Sequence, residues 1–184
     1  MPIPANDPMV AVPMVTPFDA SDRIDFDAAQ RNVDRWCQTA NRVFIIGSQS
    51  GEEFMMSEPE RVELLRCVTG ALVGERVTAG GIDAPSVVET LRQAERYAEA
   101  GAELVRIRFP RIESEVVPYF EQVIPRCPVP VLLMHQSSPA SFGVAAKPAG
   151  PPELLGDVAS MDGVFGYVTD HDTRFEARVR RFVP

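Results

Sequence analysis

Six short apolar runs, each followed by a stretch whose apolar residues recur every three to four positions, constrain this 184-residue chain more than any other feature. The runs are Val10 to Val15, Val43 to Ile46, Val77 to Ala79, Leu104 to Phe109, Pro130 to Met134 and Val164 to Val168. They are continuous rather than alternating. Strands of that kind are buried on both faces, as in parallel sheets covered by helices. The intervening stretches read as helices. Ala29, Val33, Trp36, Cys37 and Ala40 share one face, as do Leu64, Leu65, Val68 and Leu72, and then Val87, Leu91, Ala94 and Ala98. Val116, Phe120 and Val123 mark a fourth helix, with Pro118 placed in its first turn. Leu154, Leu155 and Val158 mark a fifth, and Phe175, Val179 and Phe182 a sixth. Local signals agree. Ser57 with Glu60 forms a capping box, Gly80-Gly81 ends the third strand, and Gly101 closes the third helix.

This is an α/β chain of six βα units. Two architectures fit, a doubly wound open sheet or part of a (β/α)8 barrel, and the repeat alone does not separate them. A complete barrel of eight units takes about 250 residues, so a barrel here would be incomplete. The length suggests one domain over residues 1–184, with a flexible N-terminus over 1–8.

Charge and composition remove several function classes. The net charge of −8 argues against a nucleic-acid partner, which needs clustered cations. No apolar run reaches the ~18 residues of a membrane span. The N-terminal residues lack the positive and apolar regions of a signal peptide. Cys37, Cys67 and Cys127 are odd in number and far apart, which fits reduced thiols in the cytoplasm. The 18 basic residues contain a single lysine, Lys147.

Several ordered segments carry a family likeness. They are Val15-Thr16-Pro17-Phe18 with Ile24-Asp25, Gly47-Ser48-Gln49-Ser50-Gly51-Glu52, the helix start Glu58 to Arg61, and Ala98 to Glu103. Pro130 to Leu133 and Gly163 to Gly166 complete the set. In register from about residue 9 onward, the chain resembles the dihydrodipicolinate synthase/N-acetylneuraminate lyase family. The resemblance implies a (β/α)8 barrel of the TIM type, here incomplete, and a lyase-like chemistry on pyruvate or other 2-oxo acids. Family members convert the ketone to an imine on a lysine of strand six, and the iminium then stabilises the neighbouring carbanion.

At the matching position, within Gly166-Tyr167-Val168-Thr169, this chain has Val168, which cannot form an imine. The family's proton-relaying tyrosine at the end of strand five matches Met134, and its carboxylate-holding arginine has no counterpart in Ser137 to Ser141. The tyrosine pair after strand four falls in Phe109-Pro110-Arg111-Ile112. The loop that cradles the pyruvate carboxylate is kept in outline but is one residue longer, with Gln49 and Ser50 near the two family threonines. Lys147 lies in a loop after strand five and reads as a solvated lysine, since lysine is seldom buried. The glutamate at Glu52 fits loop ordering better than a base.

In barrels the working residues stand at the C-terminal ends of the strands. Here those ends carry Thr16; Ser48, Gln49, Ser50 and Glu52; Asp83; Arg106, Arg108 and Arg111; His135 and Gln136; and Thr169, Asp170, His171 and Asp172. Arg106 and Arg108 share one strand face, so two guanidinium groups could hold a carboxylate or phosphate. The competing account pairs them with acids such as Glu103 or Glu113, or faces them to a partner subunit. Asp170-His171-Asp172 with His135 is a plausible divalent-metal set, but Asp170 and Asp172 are also well placed to cap the sixth helix, and we assign no metal. Alternation turns Tyr167 toward the helices as a packed tyrosine.

The expected substrate-binding residues are therefore Ser48, Gln49, Ser50, Arg106, Arg108, His135 and Thr169, with no cofactor and no catalytic residue assigned. The favoured function is a non-catalytic or strongly altered relative that binds a small carboxylic or 2-oxo acid, or acts as a partner subunit. The alternatives are an active lyase or hydratase using a non-imine, metal-assisted mechanism, and a folded remnant without ligand. The family barrel would continue with two further strands. Without them strands one and six are open apolar edges, so a homo-oligomer or hetero-assembly is expected.

Overall fold

The computed structural model describes residues 9–51, 53–83, 86–110, 112–135 and 150–183, and of Gln49 the backbone alone. The expected six units are present. They are β1 (Val10–Pro13) and α1 (Phe26–Trp36), β2 (Asn41–Ile46) and α2 (Glu58–Ala71), and β3 (Val77–Ile82) and α3 (Val87–Glu99). Then follow β4 (Leu104–Arg108) and α4 (Glu113–Val123), β5 (Val131–His135) and α5 (Pro152–Ala159), and β6 (Val164–Thr169) and α6 (Thr173–Val179). The strands form one sheet in chain order, and β1–β2, β2–β3 and β5–β6 pair in parallel. Adjacent parallel strands in chain order, each followed by a helix, make the incomplete (β/α)8 arrangement rather than the doubly wound one, whose strand order reverses. Among the described residues no helix is long and apolar enough to cross a membrane.

Two compact units divide the chain. One runs through Ile82 and takes in Gln93–Val105; the other takes in Asp83–Arg92 and continues from Arg106. In the first, Val43, Phe44, Val77 and Ala79 are buried on the sheet, and Val33, Leu64, Leu65 and Val68 are buried on the helices. Each of these valine, leucine and phenylalanine side chains contributes about 1.5–3 kcal/mol when it leaves water. Asp25 caps α1 by accepting from the Ala28 N–H at 2.8 Å. The Glu60 carboxylate reaches back to the Ser57 N–H at 2.8 Å and to its hydroxyl at 2.7 Å, which holds its pKa below the usual carboxylate value.

Two expectations need correction. The third strand does not stop at Gly80-Gly81 but runs through both to Ile82. A Cβ on Gly80 would lie 2.3 Å from the Tyr97 ring, so this glycine lets α3 lie close on β3. Pro118 is not in the first turn of α4 but inside the helix, because α4 already starts at Glu113. Gln122 spans the next turn there, its Nε2 donating to the Pro118 carbonyl at 2.9 Å. Gly101 does close the third helix region with a left-handed φ of 98°.

In the second unit the core is built by Ile107, Phe109, Val116, Phe120, Val123, Val131, Leu133, Leu155 and Val158. β6 differs from β4 and β5, the other strands that enter this unit, in being only half-buried along most of its length.

Candidate functional site

The strand ends carry two polar groups of residues, one in each unit. In the first unit, β2 runs out at Ile46 and Gly47 turns the chain with a φ of 74°. The Ser48 carbonyl then accepts from Gly51 N–H at 2.9 Å and Glu53 N–H at 3.2 Å. Thr16, three residues past the end of β1, donates its hydroxyl to the Gly51 carbonyl at 2.6 Å. Gly51 is obligatory by contact: a Cβ there would sit 2.3 Å from the Met14 carbonyl oxygen. The loop is thus pinned to β1, and the Gly51 and Glu53 N–H groups are consumed inside it. Ser48 is buried, and its hydroxyl has no hydrogen-bond partner among the described residues. Ser50 is exposed. The Arg61 guanidinium donates to the Glu53 carbonyl at 3.2 Å.

In the second unit, Arg106 and Arg108 do lie on one face of β4, and the acid they share is Asp83 rather than Glu103 or Glu113. Arg106 Nη1 is 3.2 Å from Asp83 Oδ1, and Arg108 Nη1 is 2.9 Å from Oδ2. One carboxylate therefore bridges two guanidinium groups, one oxygen to each. Only 2% of the Arg106 side chain is exposed, against 15% for Arg108 and 26% for Asp83. Arg106 Nη1 also reaches the Met134 sulfur at 2.8 Å. Met134 is the register partner of Val168 on β6, and paired residues of a parallel sheet point the same way. The residue just before Val168, Tyr167, bonds to Glu176 of α6 at 2.8 Å. Arg106, Arg108, Met134 and Val168 thus occupy the sheet face turned away from α6.

His135 and Thr169 are register partners and lie on the other face. His135 is fully buried, with its Nε2 3.2 Å from the Gly150 carbonyl. Its ring meets Phe109 edge-on at 5.1 Å and lies 5.1 Å from Phe175 and 4.9 Å from His171. His171 stacks on Phe175 at 3.7 Å, and its backbone N–H bonds to the Thr169 hydroxyl at 3.2 Å. The structure therefore brings the two arginines together but sets His135 and Thr169 apart from them. Asp172 caps α6, accepting from the Arg174 and Phe175 N–H groups at 3.1 and 2.9 Å. Glu52, Arg111, Gln136 and Lys147 lie outside the described residues.

Sequence reasoning placed Asp83 at a strand end but did not pair it, and missed Phe109 and Phe175 as neighbours of His135. The signal for Asp83 was available: it directly follows β3, while the arginines occupy β4, the next strand in the sheet.

Several groups are unsuited to nucleophilic or base chemistry. Burial pushes the Cys67 and Cys127 thiols up, away from the reactive thiolate. Burial also pushes Tyr119 up to about 12, against a hydrogen bond with Thr90 that pulls it down. Tyr167 is pushed up to about 12 by burial and then by its bond to Glu176. What the described arrangement does offer is a pair of guanidinium groups spaced for one carboxylate.

Residues 8–142 match the model of the dihydrodipicolinate synthetase family. The chain is 31% identical over 159 residues to 4-hydroxy-tetrahydrodipicolinate synthase 2 of Streptomyces coelicolor, covering 84% of this chain and 46% of that one. It spans about half the length of the curated relatives it matches. Among solved structures, a dihydrodipicolinate synthase from Bacillus anthracis superposes with a TM-score of 0.84 at 18% identity, over 96% of this chain and 60% of the other. YagE, a prophage protein of the dihydrodipicolinic acid synthase family from E. coli K12 solved with pyruvate, gives 0.81 at 20% identity, over 95% and 59%. With the fold shared over nearly the whole chain and the family pattern matched over residues 8–142, the chain belongs to the dihydrodipicolinate synthetase family.

Proposed function

We propose that this chain is a family member that does not form an imine with 2-oxo acids and instead binds a small carboxylic or 2-oxo acid without turning it over. The observation that carries the reading is Val168. It lies beside Met134, on the sheet face away from α6, where the family resemblance expects an amine and a phenol. A hydrocarbon cannot attack a carbonyl, and a thioether cannot relay a proton. The ligand class is supported by Arg106 and Arg108, whose guanidinium groups hold a carboxylate in the form of Asp83. In the other unit, Ser48, Gln49 and Ser50 stay candidates for ligand contact, on the strength of the buried Ser48 hydroxyl, which is without a partner among the described residues. His135 and Thr169 we assign to holding the ends of β5 and β6 together with His171.

A metal-assisted lyase has less support, since the Asp172 carboxylate is already engaged by the first turn of α6. We also propose self-association or assembly with a partner, supported by the incomplete burial of the two strands that end the sheet order, β1 and β6. The three cysteines are free thiols, which favours a reducing compartment such as the cytoplasm.

The test of the chemistry is borohydride trapping with pyruvate, read by intact mass. No adduct is expected. A reduced pyruvyl adduct on the chain would overturn the reading, and its loss in Lys147→Ala would name the amine responsible.

A further inference from the structure

Asp83 does more than neutralise two arginines: its geometry is that of a bound carboxylate. Its two oxygens are divided between two guanidinium groups, Oδ1 to Arg106 at 3.2 Å and Oδ2 to Arg108 at 2.9 Å. A small acid approaching the same pair would draw on the same two guanidinium groups, each already turned to Asp83 through its Nη1. Both cannot be held at once without placing two anions in contact, which like-charge repulsion opposes.

The exposure of the three side chains sets which of them can move. Arg106 is buried and touches the Met134 sulfur, so it is fixed from the sheet side. Arg108 is partly open, and Asp83 is the most open of the three. Asp83 follows directly on the last residue of β3, so its side chain hangs from a strand end and not from within the ladder. The donors are therefore the rigid part and the carboxylate the mobile part. Rotation of Asp83 into water costs it two charge-assisted bonds and gains it hydration, while an incoming carboxylate restores the same bonds to the arginines. The exchange is between like groups, so the net cost falls on affinity.

We infer that Asp83 is an internal competitor that occupies the carboxylate site of Arg106 and Arg108 and must leave it before a small acid can bind. The inference rests on the reading above, that these arginines hold the ligand's carboxylate, and adds how the site is regulated. The chain would answer only to high concentrations of a monocarboxylate, and weakening the Asp83 contact would sharpen its response.

The experiment is titration of pyruvate into the full chain by calorimetry, for the wild type, Asp83→Asn and Arg108→Gln, together with a crystal of the wild type grown with pyruvate. Asp83→Asn is expected to bind pyruvate about tenfold or more tightly than wild type, the scale of one charge-assisted contact no longer displaced. Arg108→Gln is expected to lose binding. In the wild-type crystal, pyruvate should sit on the two guanidinium groups with the Asp83 side chain turned off both. Equal or weaker binding by Asp83→Asn, with binding still lost in Arg108→Gln, would overturn the competitor and leave the carboxylate site standing. Absence of binding in both wild type and Asp83→Asn would overturn the two together. Should Asp83→Asn fail to fold, the crystal decides alone: pyruvate bound elsewhere with Asp83 still bridging both arginines sinks the inference.

Discussion

Met134 and His135 are neighbours in sequence at the end of β5, yet they belong to different chemistries. Met134 faces the guanidinium groups and Val168, while His135 is sealed among aromatic rings below α6. The first face is ionic and partly wet; the second is dry and packed. In a pleated strand one step along the chain is a change of face, so polar residues that sit together at a strand end in sequence need not meet in space. His135, read as ligand-binding from its position, is placed by the structure with the packing.

The comparison implies that the helix side of these strands carries most of the stability. Phe109 is the keystone to remove, since it touches both Phe120 and His135. Phe109→Ala is expected to lower unfolding stability by about 3–5 kcal/mol in urea denaturation, the cost of emptying a packed aromatic site. A loss below about 1 kcal/mol, the level of a surface change, would break the distinction between the two faces.

Tyr119 sharpens the same side through pH. It lies buried on α4 with its hydroxyl on Thr90, and its pKa is raised from 10 to about 12 in the folded chain. The unfolded chain then releases the phenol proton first. The folded chain holds more protons between these values, so the contribution is full below pH 10 and is lost as pH rises toward 12. That difference corresponds to at most about 3 kcal/mol. Tyr119→Phe should flatten the alkaline limb of the stability curve; an unchanged limb would show that the proton is held elsewhere.

On the ionic side, Arg106→Met is the direct counterpart. Methionine fills the stem volume, and Asp83 keeps Arg108 and water as partners, so no anion is left stranded. The expected loss is about 1–2 kcal/mol by the same denaturation, less than for Phe109→Ala. A loss equal to that of Phe109→Ala would show that the ion pair holds the strands as firmly as the rings do.

The extent to which these features were legible follows their range in the chain. The six units were legible because hydrophobic periodicity and continuous apolar runs are local, and the Ser57–Glu60 cap was legible for the same reason. The end of β3 was misread because Gly80-Gly81 has the composition of a turn. Its cause is the Tyr97 ring, 17 residues away in the sequence and invisible to any local rule. The Arg106–Arg108 face followed from alternation alone. Their partner did not, because Asp83 and Arg106 are separated by 22 intervening residues and meet only once the strands are ordered. The rings around His135 were missed for the same reason: Phe109, His135 and Phe175 come from three separate βα units.

The smallest expected effect concerns the boundary between the two faces, where the chain leaves β6 and enters α6. Asp172 accepts from two N–H groups of the first turn and so fixes where Phe175 begins its stack on His171. Asp172→Ala removes a cap worth about 1 kcal/mol and leaves both N–H groups to water. If the aromatic cluster positions α6, then Asp172→Asn, which keeps an accepting oxygen, should recover most of the loss, whereas a metal ligand replaced in this way would not be rescued. Denaturation of the two variants with and without added divalent cation separates these outcomes. A cation-dependent stability in wild type that both variants lack would move Asp172 from the cap to a metal site, and with it the boundary between packing and chemistry at this end of the sheet.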